Sequence, residues 1–242
     1  MFYFLFQTFM TYNLILIAAA VIPAVFLMVR VWRADRLEKE SPQLMWLLVK
    51  GGIFSALLAL VEERIGSWIL DAAVAKETVL YNVLLYFVVV AVAEESSKYI
   101  FLKRNSWNSP EFTSQYDGVI YAVFTSLGFA LWENISYVMH FGFTTALVRA
   151  VTAIPGHACF GVFMGVFYGF ARKYENYGKP AASRACRFLS LLIPMLLHGT
   201  YDYIATTQQT SGGWYFLAFV AVLFIVSYIL VGKVSRQDKH IV

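Results

Sequence analysis

Hydrophobic residues fill seven stretches of this chain almost without interruption, near residues 12–32, 44–64, 79–101, 118–139, 147–170, 187–207 and 214–232. At 1.5 Å of rise per residue, each is long enough for a helix to cross about 30 Å of hydrocarbon. The pattern predicts an all-α, polytopic membrane protein of seven transmembrane helices. Every connection is short, and no Gly/Ser-rich or Pro-rich linker, low-complexity tract or internal repeat divides the chain. Residues 1–242 therefore read as a single integral membrane domain with no soluble module large enough to fold alone.

Composition supports the pattern. Hydrophobic residues make up 60% of the chain and charged residues 14%, against roughly 45–50% and about 25% in an ordinary soluble domain. That excess, with a mean hydropathy of +0.63, excludes burial of all apolar side chains in one globular core and requires an outer surface facing lipid. Two cysteines, Cys159 and Cys186, stand 27 apart without CxxC or Cys/His spacing, so they are expected to be reduced, structural thiols. The first ten residues, MFYFLFQTFM, lack the basic start and small-residue cleavage site of a signal peptide. Residues 2–9 read as an interfacial stretch leading into the first span.

The formal charge of +4 acquires meaning from its placement. Lys and Arg number none, four, two, three, one, five, none and three in successive terminal and connecting segments, counting Lys98 with Lys103 and Arg104 and leaving Lys50 within a span. By the positive-inside rule this alternation places the N-terminus outside and the C-terminus in the cytoplasm, with 15 of the 19 basic residues on the cytoplasmic side. The basic character is topology, and no nucleic-acid partner is expected.

Against this background the ionisable residues inside the spans stand out: Glu62, Glu63, Glu94, Glu95, Lys98, Glu133, His157, His198 and Asp202. Such groups near the bilayer centre cost about 2.5–3.5 kcal/mol each on insertion scales. Glu94, Glu95, Glu133 and Asp202 alone represent on the order of 10 kcal/mol if unpaired, comparable with the stability of a whole domain. They are expected to converge. Glu94 and Lys98, Phe129 and Glu133, and His198 and Asp202 are each four apart, hence on one helical face. In the fifth span, Ala153, His157, Gly161, Gly165 and Gly169 recur every four residues, a groove for close helix approach. Pro155 and Pro194 are expected to kink the helices beside the cluster. Glu62 and Glu63, next to Arg64, read instead as a solvated charge run ending the second span on the outer side.

Metal-assisted hydrolysis needs two or three imidazole or carboxylate ligands, an open coordination position and a base for the bound water. His157, His198, Glu133 and Asp202 can supply ligands, with Glu94 or Glu95 as base. The motifs EExxK (Glu94, Glu95, Lys98), FxxxEN (Phe129, Glu133, Asn134), a His in a Gly-rich helix (His157) and HxxxD (His198, Asp202), in this order, resemble the PrsW family of bacterial intramembrane proteases, related to type II CAAX prenyl proteases. The motifs cover residues 94–202, a little under half of the chain.

The resemblance implies an endopeptidase of the bacterial cytoplasmic membrane that makes the first cut in a membrane-anchored anti-sigma factor under envelope stress. It assigns water activation to Glu94 and Glu95, with Lys98 as their charge partner. Glu133, His157 and His198 then form the catalytic or metal-binding cluster, Asp202 orients or ligates, and zinc is the expected metal. The site is expected among helices three to six, with membrane lipid and a single-pass membrane protein as partners.

Geometry poses one difficulty. Counted from the cytoplasmic ends of the spans, Glu133, His157 and Asp202 lie at roughly 20 Å and Glu94 at only about 10 Å. An extension of the third helix through Lys103, with tilt, is needed to bring Glu94 to the cluster. Three other functions compete: a non-catalytic scaffold of the same superfamily, a proton-relaying transporter and a CAAX-type prenyl protease. Seven spans without internal symmetry disfavour the transporter. Glu in the second motif and HxxxD in the last favour the PrsW branch over the prenyl proteases.

Overall fold

The computed structural model describes residues 2–76, 78–207 and 213–241, without the side chains of residues 2–10, 12 and 207. Its elements are α1 (Phe2–Arg33), α2 (Pro42–Ala73), α3 (Val79–Leu84), a π-helical segment (Leu85–Val90), α4 (Ala91–Ser106), α5 (Gln115–Phe141), α6 (Phe143–Val151), α7 (Ala153–Asn176), α8 (Pro180–Thr207) and α9 (Trp214–Arg236). The π segment joins α3 to α4 as one span, and α6 with α7 forms another. Seven candidate spans result among the described residues, as the hydrophobic pattern predicts. The helix α1 begins at Phe2. The interfacial role expected for residues 2–9 concerns side chains that lie outside the described residues.

The sequence explains why α5 sits at the centre. Its small residues face two neighbours at backbone distance. A Cβ placed on Gly165 of α7 would lie 2.5 Å from the Gly118 carbonyl oxygen and from the Val119 Cα, and one on Gly52 of α2 would lie 2.0 Å from the Thr125 carbonyl oxygen. Only glycine permits these approaches, the small-residue packing that apolar helices use where lipid supplies no hydrophobic drive. A Ser114–Asp117 capping box starts α5: the Asp117 amide donates to the Ser114 hydroxyl and the Ser114 amide to the Asp117 carboxylate.

The ends of α1, α7 and α9 and the starts of α2, α5 and α8 gather at one face. There Tyr116 donates to the Val31 carbonyl (3.0 Å), Asn176 to the Ile241 carbonyl (2.8 Å) and Ser235 to the Ala34 carbonyl. The basic-rich connections thus share one end of the molecule. Lys98 is an exception to the count by connections: it is completely buried inside α4.

Three boundaries differ from the hydrophobic pattern. The second span does not end at Arg64; α2 continues to Ala73 because Ile65, Trp68 and Ile69 prolong its lipid-facing, exposed surface. Its 32 residues measure about 48 Å and tilt accommodates the excess. The fifth span is interrupted at Thr152 (φ −121°, ψ −70°), not at Pro155. Pro155 falls in the first turn of α7, where a missing N–H costs no intrahelical bond. Pro194 lies inside α8, which stays helical on both sides of it. Gly142, with φ 82° and ψ −168°, makes the single-residue corner between α5 and α6, a backbone region almost closed to other residues.

Candidate active site

Four elements bring the ionisable residues together: α4 carries Glu94, Glu95 and Lys98, α5 Glu133, α7 His157, and α8 His198 and Asp202. The depth difficulty disappears for a reason the hydrophobic pattern cannot show. The C-terminal end of α4 does not reach the face where α7 ends. Ser106 Oγ lies 3.0 Å from the Tyr168 hydroxyl, and Trp107 packs edge-on against the Tyr168 ring. Tyr168 stands eight residues, about 12 Å, inside the end of α7. From that level Glu95 and His157 are each eleven residues further along their helices, about 16 Å. The connection 107–114, with Trp107 and Phe112 buried, absorbs the offset. The predicted extension of the third helix, to Ser106, also occurs.

Lys98 is the hub. Its ammonium contacts Glu95 Oε1 at 2.7 Å, Glu94 Oε2 at 3.1 Å and His157 Nδ1 at 3.2 Å, and lies 4.1 Å from the Phe129 ring centre. Phe129, one turn before Glu133, thus covers the cation with its π face. A lysine ammonium only donates, so His157 Nδ1 accepts and Nε2 carries the ring proton. That Nε2–H donates to Glu133 Oε2 at 2.8 Å. One tautomer satisfies both neighbours.

His198 faces carboxylates with both ring nitrogens: Nδ1 is 2.8 Å from Glu95 Oε1, and Nε2 is 3.3 Å from Asp202 Oδ2 and 3.8 Å from Glu94 Oε2. Its ring stacks on Phe160, 4.8 Å between centres, and meets His157 edge-on. Ser126 of α5 donates to the His157 carbonyl at 2.7 Å, fixing α7 at the site. Gly199, next to His198, packs on Phe87 of the π segment, where an added Cβ would lie 2.6 Å from the ring. A π-helical turn beside a polar cluster is a frequent functional arrangement.

Three residues that the sequence pattern leaves out of the site border it. Arg149 of α6, counted there only as a lone outer cation, binds Glu133 Oε2 at 2.8 Å, donates to Asn134 Oδ1 at 2.6 Å and lies over the Tyr137 ring. A single Arg in an otherwise apolar segment was its signal. Glu62, read from sequence as interfacial, accepts from Ser97 Oγ of α4 at 2.9 Å. Glu63 lies in the electrostatic field of Glu94, Glu133, His198 and Lys98. Both stand well inside α2, so the expectation that they end the span is corrected.

The residues fit a metal ion. Among the described residues, Glu94, Glu95 and His157 each offer a donor atom, all within 4.8 Å of one another. Of the four residues expected as ligands, only His157 belongs to this group; His198 adjoins it through Glu95. Glu95 Oε2 is buried without a hydrogen-bond partner, an unspent acceptor of the kind that calls for a ligand. Two carboxylates and an imidazole suit a divalent cation that takes mixed oxygen and nitrogen donors. Four acids, Glu94, Glu95, Glu133 and Asp202, face two obligatory cations, Lys98 and Arg149, so the charge balance also has room for one. An ion and the Lys98 ammonium draw on the same three donors.

Comparison with known proteins gives the family. Proteins named Protease PrsW align from Oceanobacillus iheyensis, 32% identical over 190 residues covering 78% of this chain and 82% of the relative, and from Bacillus subtilis, 38% identical over 131 residues covering 54% and 58%. The Shouchella clausii protein of that name is 28% identical over 222 residues, 91% of this chain and 97% of its own length. No solved structure matches. The profile described as PrsW family intramembrane metalloprotease matches residues 40–231, which span every residue of the cluster, and the chain belongs to that family.

Proposed function

We propose that this multi-pass membrane peptidase cleaves a single-pass membrane protein within the bilayer, that the substrate is an anti-sigma factor, and that the cut opens a bacterial stress response. The substrate class rests on the family resemblance of the four motifs. The observation that carries the site assignment is the meeting of Glu94, Glu95 and His157 around Lys98, with His198 bonded to Glu95. All of residues 1–242 act as one protease domain.

In this reading one carboxylate of the Glu94–Glu95 pair takes the proton of the attacking water, and its partner, with His157, would hold the metal. Zinc is the ion this donor set favours. When bound it supplies Lewis-acid polarisation of the scissile carbonyl and a more acidic water. Lys98 holds the pair in register. Glu133 fixes the His157 tautomer through Nε2, as carboxylates beside ligating imidazoles do, and Arg149 in turn holds Glu133. His198, oriented by Asp202, is placed to pass a proton from Glu95 towards the leaving amine. The cluster lies about 27 Å along α5 from its start, nearer the end away from the basic connections. With the C-terminus cytoplasmic, as the charge bias indicates, the cut falls near the external face.

A second reading has one specific support. Lys98 occupies the middle of the donor group, which favours water activation by the carboxylate pair without a metal. Elemental mass spectrometry of detergent-purified protein separates the two, run beside a His157→Ala/His198→Ala variant and a cleavage assay on a membrane-anchored substrate. Near-stoichiometric zinc that the variant loses supports the metal reading. Cleavage by metal-free wild type supports the second, and full cleavage by the variant refutes the site.

A further inference from the structure

A groove with a volume of about 1160 Å³ lies between α1, α7 and α9 and is lined by none of the residues of the carboxylate cluster. Its walls are apolar, with Phe26 on α1, Ala158 and Val162 on α7, and Phe224 and Ile229 on α9. At one end the lining changes character: Arg30 and Arg33 from α1 meet Lys233 and Arg236 from α9. Among the described residues no carboxylate lines the groove, and none of these four cations makes an ion pair. The two aspartates nearest them in sequence are each bonded through one oxygen to backbone amides and form no ion pair with the four cations. Asp35 accepts from the Leu37 amide, and Asp238 accepts from the amides of Gln115 and Tyr116.

Helix dipoles and the positive-inside bias account for basic residues at the ends of α1 and α9. They do not account for four unpaired cations ringing the mouth of a deep apolar groove. The dimensions match one leaflet. From Arg236 back to Phe224 is twelve residues, about 18 Å, and half of a hydrocarbon core is about 15 Å. Guanidinium forks suit a phosphodiester, and basic pockets between membrane helices on the cytoplasmic side bind anionic headgroups.

We propose that this groove holds one anionic phospholipid, with an acyl chain along α9 and its phosphate among Arg30, Arg33, Lys233 and Arg236. The floor of the groove is the face of α7 that carries Ala158 and Cys159, the residues directly after His157. A resident lipid therefore buttresses the helix that positions the site.

Native mass spectrometry of the purified full-length protein, supplemented with dioleoyl phosphatidylglycerol or dioleoyl phosphatidylcholine, tests this. Wild type retains one phosphatidylglycerol at least tenfold in preference to phosphatidylcholine. Arg30→Gln/Arg33→Gln/Lys233→Gln/Arg236→Gln brings that preference below threefold. Gly232→Phe is the second variant: a Cβ on Gly232 would meet only the Arg236 guanidinium, 3.9 Å away, so a ring enters the groove without disturbing the backbone. It abolishes retention while all four charges remain. Equal retention of the two lipids by wild type overturns the proposal, as does an unchanged preference in the four-Gln variant. So does capture of a substrate membrane segment, in place of lipid, by a photocrosslinker at position 232.

Discussion

Replacing Lys98 by Met tests the centre of the site, because the two side chains are similar in length and differ in charge. Lys98 is fully buried and holds two buried carboxylates, Glu94 and Glu95, and one imidazole nitrogen. Removing one partner of a buried ion pair costs about 3–5 kcal/mol, since the remaining charge stays desolvated. For a chain of this size each kcal/mol lowers Tm by about 2–4 °C, so the variant melts about 6–20 °C lower. Tryptophan fluorescence during heating in detergent reads this. The triple change Glu94→Gln/Glu95→Gln/Lys98→Met removes the stranded charges as well and recovers most of the loss. Zinc supplies a second arm. An ion that takes the three donors stabilises Lys98→Met by about 2.7 kcal/mol at one hundred times its Kd, which is about 5–11 °C. It stabilises wild type less, where the ammonium competes. A Tm for Lys98→Met within 2 °C of wild type, measured without metal, or equal zinc shifts in both proteins, would refute the hub role.

Other substitutions probe the supports. Arg149→Gln leaves Glu133 without its outer cation and lowers kcat for substrate cleavage by about tenfold, the effect of roughly 1.4 kcal/mol on the barrier, while Arg149→Lys retains part of the rate. Gly165→Leu forces α5 and α7 apart and costs about 3 kcal/mol or more; the thermal midpoint falls, and cleavage falls with it, because His157 is two turns away on the same helix. Gly178→Ala, in open space with φ +65°, costs only about 1 kcal/mol. Glu40, in the connection before α2, gives a pH dependence. Burial, followed by the charge of Asp117, raises its carboxyl from 4.5 to about 9. The unfolded chain therefore ionises first, so this contribution to stability is fully present below pH 4.5 and is lost as pH rises towards 9. Thermal midpoints between pH 5 and pH 9 decline in wild type and decline less in Glu40→Gln.

Much of the architecture is legible in the pattern because lipid imposes simple rules. A helix must be apolar over its whole circumference and long enough to cross, so seven runs read directly as seven spans. The boundaries were less legible where the chain departs from that uniformity. Glu62, Glu63 and Arg64 look like the end of a span, yet the Ile65–Trp68–Ile69 face carries α2 on to Ala73, about two and a half turns further. The break at Thr152, inside the run 147–170, leaves no hydropathy signal, because the residues on both sides of it are apolar. The residues of the site were readable as ionisable groups where none should be, and their i,i+4 spacing gave their faces. Which donors would meet was not readable. Spacing along one helix says nothing of the offset between helices, and the low end of α4 is set by a packed aromatic connection.

The packing glycines and the polar site are one arrangement. Two of the hydrogen bonds across helices in the cluster join helices that glycine brings into close contact. Gly118 and Gly165 bring α5 and α7 to backbone distance, and Glu133 then reaches His157 at 2.8 Å. Gly199 lets α8 lie against the Phe87 ring of the π segment that leads into α4, and His198 then reaches Glu95 at 2.8 Å. In a bilayer, burying apolar surface between helices releases no water, so close packing and polar bonds must supply the association. A cluster of charges that costs on the order of 10 kcal/mol when unpaired demands both at once. Larger residues at these positions would separate the helices and leave the acids desolvated without partners. A scaffold function needs only the glycine contacts. The carboxylate pair, two histidines and a Glu95 oxygen without a partner add an insertion cost that holding helices together does not require, and the hydrolytic role proposed for them gives a reason for it.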